Sequence, residues 1–66
     1  MPLSKIISMI SAIDKISIHD GQGVVRYNGP CADFRAIMSE KDKNELLESD
    51  VDQIRAYDNV IILLLK

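Results

Sequence analysis

Six consecutive apolar residues, Val60–Leu65, stand immediately before Lys66 in the sequence. A half-buried strand alternates apolar with polar residues, whereas an uninterrupted, β-branched run is typical of a strand buried on both faces or of a buried helix. A chain of 66 residues has little other material with which to cover such a segment. The run therefore predicts association with another molecule, most simply a second copy of the chain.

The size of the chain also favours assembly. We expect one domain over residues 1–66, and a core of this size supplies at most about 3–5 kcal/mol of net stability unless disulfides, metals or oligomerisation add to it. The one cysteine, Cys31, cannot form an internal disulfide, and with the one histidine, His19, it provides too few ligands for structural zinc. No cofactor is expected, and oligomerisation or unusually tight packing remains.

Charge and hydropathy narrow the choice of partner and compartment. Eight basic and ten acidic residues are interleaved and give a net charge of −2, so the electrostatic attraction needed for nucleic-acid binding is weak. The apolar stretch 6–13 is interrupted by serines and follows a single lysine, which argues against a signal peptide. No segment approaches the roughly 20 apolar residues of a membrane helix. With an unpaired cysteine, the expected compartment is the cytoplasm.

The N-terminal segment has the spacing of an amphipathic helix. Ser4 is a potential N-cap, and residues 4–13 are predicted to form a short helix. A strand over residues 5–10 is the alternative, because isoleucine loses rotamer freedom in helices. The apolar side of the helix would carry Leu3, Ile6, Ile7, Ile10 and Ile13.

Asp20-Gly21 lies between two alternating segments and predicts a β-hairpin. Both central residues of a type I′ turn need positive φ, and Asp-Gly is a favoured pair for such turns. A two-residue turn would pair Ile16 with Val25, and a longer turn with a bulge at Gly23 would shift that register by one. The apolar face of the hairpin would carry Ile16, Ile18, Val25 and Tyr27.

Two short helices are predicted between this hairpin and the C-terminal segment. Asn28-Gly29-Pro30 ends the strand and favours a helix start, which gives a helix over residues 31–38. Asp42 with Glu45 has the spacing of a capping box for a second helix over residues 42–48. The buried side chains of these helices would be Phe34, Ile37, Met38, Leu46 and Leu47.

Asp58-Asn59 predicts the turn of a second hairpin that includes the C-terminal run. Both residues tolerate left-handed backbone, and the turn would pair Ala56 with Ile61. A helix that begins at Asp50 is the alternative, although it would contain the β-branched residues 60–62. The inner face would carry Ile54, Ala56, Ile61, Leu63 and Leu65, and the outer face Gln53, Arg55, Tyr57, Val60, Ile62 and Leu64.

The order helix, hairpin, helices, hairpin predicts an α+β fold, with a mainly antiparallel sheet of about four strands and helices on one side. Either the N-terminal helix or a second copy would cover the outer face of the sheet. We expect a second copy, through sheet faces or edge strands, because so short a chain rarely builds three layers. The predicted interface residues are Val24, Tyr57, Val60, Ile62 and Leu64.

No residue pattern predicts catalysis or metal binding. Cys31 and His19 have the chemistry of a thiol–imidazole dyad, but nothing in the sequence brings them together. Asp50 and Asp52 share strand parity, and two carboxylates alone make a poor metal site. The glycine-rich residues 20–23 lack the helix and lysine of a phosphate-binding loop. We therefore expect a protein that is not an enzyme.

These observations favour a small self-associating protein-interaction module with an accessory or regulatory role. Its partner would be a second copy, a different protein, or both. The alternative hypothesis is a small anionic-ligand or nucleotide-binding protein, in which Arg26 and Arg55 on the outer sheet face bind the anion at a dimer cleft. Arginines on a sheet face are more often solvated or in weak surface ion pairs, which favours the first hypothesis.

Overall fold

A computed structural model describes residues 1–66 and contains three helices and a four-stranded sheet. The elements in chain order are α1 (Leu3–Met9), β1 (Lys15–His19), β2 (Val25–Pro30), α2 (Cys31–Ile37), α3 (Glu40–Glu48), β3 (Val51–Tyr57) and β4 (Val60–Leu65). This order confirms the predicted α+β fold, with a helix at the N-terminus and a hairpin at the C-terminus. None of the three helices has the length and apolar character needed to cross a bilayer.

The strands lie in the order β2-β1-β4-β3. Each hairpin is antiparallel, and the two hairpins are joined by parallel pairing of β1 with β4, so the sheet is mixed. The C-terminal run forms β4, which is one of the two central strands. A central strand can have apolar residues on both faces because neighbouring strands cover its edges.

All three helices pack on one face of the sheet. They share a single core with the side chains of that face, and no apolar residue of the opposite face belongs to it. Tyr27 and Phe34 pack edge to face in this core, with ring centroids 5.2 Å apart. The opposite face is therefore not covered by α1 or by any other element of the chain. The core consists of Leu3, Ile6, Ile7, Ile16, Ile18, Tyr27, Cys31, Phe34, Leu46, Leu63 and Leu65.

The first hairpin has a different register from the predicted one. Ile16 pairs with Gly29 rather than with Val25, and the ladder is irregular between Ile18 and His19. Val25 was predicted to face the core, but its side chain lies outside it and is 52% exposed. The register follows from a loop that is longer than two residues.

That loop is held by the side chain of Asp20. Its Oδ1 accepts hydrogen bonds from the backbone N–H groups of Gln22 (2.9 Å) and Val24 (3.0 Å), and Gly23 has a φ of 82°. The Asp20 side chain thus forms an Asx-turn, in which it accepts a hydrogen bond from the backbone two residues further along the chain. This turn replaces the predicted Asp-Gly type I′ turn. As a result, Val24 lies in the loop before β2 and not on the sheet.

The second hairpin has the predicted turn and register. Asp58 and Asn59 have φ values of 52° and 65°, and Ala56 pairs with Ile61. Ile54, which was predicted to face the core, is instead 57% exposed. It has the predicted orientation, but β3 is an edge strand that extends beyond the helix layer.

The N-terminal helix is shorter than predicted. It begins after Pro2, so Ser4 lies inside the helix and does not cap it, and it ends at Met9. Ile13 lies beyond this end and is 86% exposed. The chain turns toward β1 before the last isoleucine of the predicted apolar side can reach the core.

The two central helices are close to their predicted positions, with two corrections. Ser39, not Asp42, is the N-cap of α3, because its Oγ accepts a hydrogen bond from the Asp42 N–H at 3.3 Å. Ile37 was predicted to be buried, yet it is the last residue of α2 and is 68% exposed. The polar segment between the helices thus forms the first turn of α3 instead of a separate linker.

Candidate functional site

The face of the sheet opposite the helices, which we call the open face, consists of three rows of side chains. Residues that pair across neighbouring strands point to the same side of a sheet, so the pairing register defines each row. From β2 to β3 the rows are Val25, His19, Leu64 and Gln53; Asn28, Ser17, Ile62 and Arg55; and Pro30, Lys15, Val60 and Tyr57.

An apolar column runs through the middle of the open face. Val60, Ile62 and Leu64 all come from β4, and each is partly exposed. Tyr57 on β3 lies beside Val60 and is 77% exposed. Four strands spaced about 4.8 Å apart and six residues long give an open face of roughly 400 Å² in projection. The apolar column covers only part of this area, whereas the largest apolar patch of a typical monomer is about 300–600 Å² and is often functional.

The polar columns on either side of β4 each contain one hydrogen-bonded pair of side chains. The Ser17 Oγ lies 2.9 Å from His19 Nε2 on β1. On β3, the Nε and Nη2 of Arg55 donate to Gln53 Oε1 at 3.2 and 2.9 Å. Each pair joins residues two positions apart on one strand, a spacing that predicts a shared face. Because these groups are already paired, a partner can cover them without breaking their hydrogen bonds.

The charges on the open face are positive. Lys15 and Arg55 lie on it, and none of its three rows contains a carboxylate. The whole chain has eight basic and ten acidic residues, so the remainder of the molecule carries six basic and ten acidic side chains. The open face therefore differs in sign from the rest of the surface.

Four of the five predicted interface residues share the open face, namely Tyr57, Val60, Ile62 and Leu64. Val24, which is in the loop, does not belong to it, and Val25 takes its place beside His19. The rows also contain residues that the sequence argument did not single out for this face, such as Asn28 and Ser17. Their place depends on how β1 pairs with its two neighbours, which no local pattern in the sequence specifies.

The two arginines of the alternative hypothesis lie far apart. Arg26 is on β2 and Arg55 on β3, the two edge strands, which are separated by three strand spacings or about 14 Å. The Nη1 of Arg26 is 3.7 Å from Asp20 Oδ2, and Arg55 is bonded to Gln53. Contact of both arginines with one small anion stays a prediction, and it requires a second copy to bring them together.

The thiol and the imidazole lie on opposite sides of the sheet. Cys31 is buried in the core, where burial raises the pKa of its thiol. His19 is on the open face next to Ser17, a pair with the chemistry of a nucleophile and a base. In such sites a third group orients the base, and the open face has no carboxylate for that role. No group of three or more potential metal ligands occurs, and the fold has no pocket.

Both edges of the sheet carry features that hinder the addition of another strand. The β2 edge contains an irregular pairing step and ends in Gly29 and Pro30. The β3 edge has an irregular step between Val51 and Gln53 and a charged residue, Arg55, in its regular part. Bulges, prolines and charges are common means of protecting an edge strand. Neither edge is therefore suited to the addition of another strand.

Comparisons with known proteins give no match to this chain among family models, curated proteins or solved structures.

Proposed function

We propose that this chain is a small, non-catalytic, self-associating interaction module that binds a second copy of itself through the open face. One observation carries the proposal: the apolar central strand β4 has one side in the core and the other on a face that nothing in the chain covers. An accessory or regulatory role in the cytoplasm fits a small module with a free thiol.

The expected affinity follows from the apolar surface available. Full burial of an aliphatic side chain contributes about 1.5–3 kcal/mol, so the partly exposed Val60, Ile62 and Leu64 each add about 0.5–1 kcal/mol on association. Two copies supply about 3–6 kcal/mol from these residues, and their two Tyr57 rings add roughly 4 kcal/mol. Association costs at least about 4 kcal/mol. At most about 6 kcal/mol remains, which corresponds to a Kd of tens of micromolar or weaker.

The decisive experiment compares two single variants, each with one lysine, on opposite sides of the sheet. Ile62→Lys puts a charge at the centre of the open face, and Ile54→Lys puts the same charge on the exposed part of the other side. Sedimentation equilibrium from about 10 µM to about 1 mM detects association with a Kd from tens of micromolar to a few millimolar, which is the range that a balance of about 3–6 kcal/mol gives. We expect the natural chain and Ile54→Lys to dimerise, and Ile62→Lys to remain a folded monomer by circular dichroism.

A natural chain that stays monomeric over this range would refute the proposal, as would a dimer that is equally stable in Ile62→Lys. If Ile62→Lys does not fold, Ile62→Thr provides the same test. It retains a β-branched side chain suited to a strand and removes most of the apolar contact.

A second candidate function is suggested by the charges of the open face. Lys15 and Arg55 without neighbouring carboxylates favour an anionic ligand, such as a phosphate or a nucleotide. A thermal-shift series with inorganic phosphate and nucleotides tests this candidate, with Arg55→Gln as the variant that should lose the shift. Absence of any shift in the natural chain would remove it.

A further inference from the structure

We infer that the two copies pack face to face about a two-fold axis that runs parallel to β4 and lies over it. This inference rests on the proposed self-association and specifies the geometry of the contact. It follows from the chemistry of the three columns that β1, β4 and β3 contribute to the open face.

The position of the axis is set by the apolar column. When the axis lies over β4, the column Val60, Ile62 and Leu64 of one copy meets the same column of the other. If the axis lay over β1 instead, the polar column of β1 would meet itself, and β4 would lie over β2. Placement over β4 is the arrangement that buries apolar groups against apolar groups.

The direction of the axis is set by charge. A two-fold axis perpendicular to the strands, centred on Ile62, would place Arg55 of one copy directly over Arg55 of the other. None of the three rows contains a carboxylate that could offset this repulsion. An axis parallel to β4 avoids the clash, because it places β3 of one copy over β1 of the other and so brings unlike columns together.

The parallel axis also produces favourable contacts in each row. Lys15 lies over Tyr57 of the other copy, where an ammonium group and an aromatic ring attract each other. In the second row, Ser17 lies over Arg55 of the other copy. In the third row, His19 lies over Gln53 of the other copy. Each of these combinations pairs groups that can form hydrogen bonds.

The twist of the sheets leaves the central row in register and offsets the two outer rows. Packed sheets cross at about 30°, and the outer rows lie about 6.6 Å from a crossing point at Ile62, so they are displaced by roughly 3 Å. This displacement is more than half of the strand spacing of about 4.8 Å, so the combinations hold most directly in the central row, where Ser17 lies over Arg55 of the other copy. β2 has no strand opposite it in this arrangement, so Val25 lies outside the contact.

Cysteine cross-linking distinguishes the two axes. The variants Val60→Cys and Leu64→Cys are made separately in a Cys31→Ala background, with Val25→Cys as the control outside the contact. Across the parallel axis each introduced cysteine faces its own copy at the sheet separation of about 10 Å, whereas Val60 and Leu64 lie about 13 Å apart along the strand. A short bifunctional thiol reagent that spans the sheet separation is then added to each variant and to an equimolar mixture of the first two.

We expect Val60→Cys and Leu64→Cys each to form covalent dimers alone. In their mixture, mass spectrometry should detect at least severalfold more like-with-like links than links between the two variants. Predominant Val60–Leu64 links in a sample that sedimentation shows to be dimeric would overturn the parallel axis and leave the proposed function intact. A dimer that cross-links only through Val25→Cys would overturn the placement of the axis over β4. A natural chain that is monomeric would overturn the proposed function itself.

Discussion

Substitution of Tyr57 should distinguish an effect on dimerisation from an effect on folding. Its side chain is 77% exposed in the single chain, and a tyrosine buries about 150–250 Å² when fully covered, so about 150 Å² remains available to a partner. At about 25 cal/mol per Å², complete burial would contribute about 4 kcal/mol, and burial of half that area at the rim about 2 kcal/mol. Since both copies change, Tyr57→Ala should weaken the dimer by about 4 kcal/mol, or about a thousandfold in Kd.

The same substitution should hardly affect the fold. Because the Tyr57 ring lies outside the core, Tyr57→Ala should change the free energy of unfolding of the single chain by no more than about 0.5 kcal/mol. Tyr27 provides the contrast: it is 7% exposed, packs against Phe34, and its hydroxyl donates to the carbonyl oxygen of Pro30 at 2.6 Å. Tyr27→Ala should cost about 3–5 kcal/mol, which equals the whole stability expected of so small a core.

Two measurements test this contrast. Sedimentation equilibrium compares the three chains up to about 1 mM: Tyr57→Ala should be monomeric throughout, and Tyr57→Phe, which retains the ring, should have a Kd close to the natural value. Urea denaturation followed by circular dichroism gives the stability, with every variant made in the Ile62→Lys background so that dimerisation does not contribute. The reasoning is refuted if Tyr57→Ala leaves the Kd unchanged, or if it unfolds the monomer as Tyr27→Ala does.

Two further predictions concern the loops of the hairpins. Asn59→Gly should stabilise the fold by about 0.5 kcal/mol in urea denaturation, because Asp58 and Asn59 both have positive φ and glycine adopts that conformation without strain; a loss of stability would contradict this turn. The Val24 N–H, with the Gln22 N–H and the Arg26 guanidinium, lowers the pKa of Asp20 below its ordinary value of 3.8. The ionised carboxylate therefore stabilises the fold above about pH 4, and this contribution is lost as the pH falls through the lowered pKa. Asp20→Asn, which retains an acceptor, should lose less stability than the natural chain between pH 7 and pH 3, and equal losses would contradict the role of the charge.

The parts of the fold that the sequence predicted well depend on neighbouring residues. The turn at Asp58-Asn59 sets the register of its hairpin, because a two-residue turn leaves only one way to pair the flanking strands. The order of helices and strands likewise follows from local periodicity. The predicted strand end at Asn28-Gly29-Pro30 was wrong, because these residues pair with β1 and belong to β2, although the helix does begin directly after them. The first hairpin was predicted less well, because the side chain of Asp20 bonds the backbone of its own loop and lengthens it. Sequence spacing alone does not distinguish that loop from a two-residue turn.

The apolar run Val60–Leu65 shows which feature of the fold the local sequence does not determine. Its composition indicated a strand without a polar face, and hence an excess of apolar surface for so short a chain. The parallel pairing of β4 with β1 joins segments more than forty residues apart in sequence, and it decides which neighbours each residue of the run receives. Strand alternation alone predicted that Leu63 and Leu65 face the core and that Ile62 and Leu64 face the other side, as observed. The pairing with β1 adds the second of the two polar columns between which Ile62 and Leu64 lie. Only a contact between distant strands could decide which columns flank Ile62 and Leu64, because local sequence does not specify which side chains lie across from one another in a sheet.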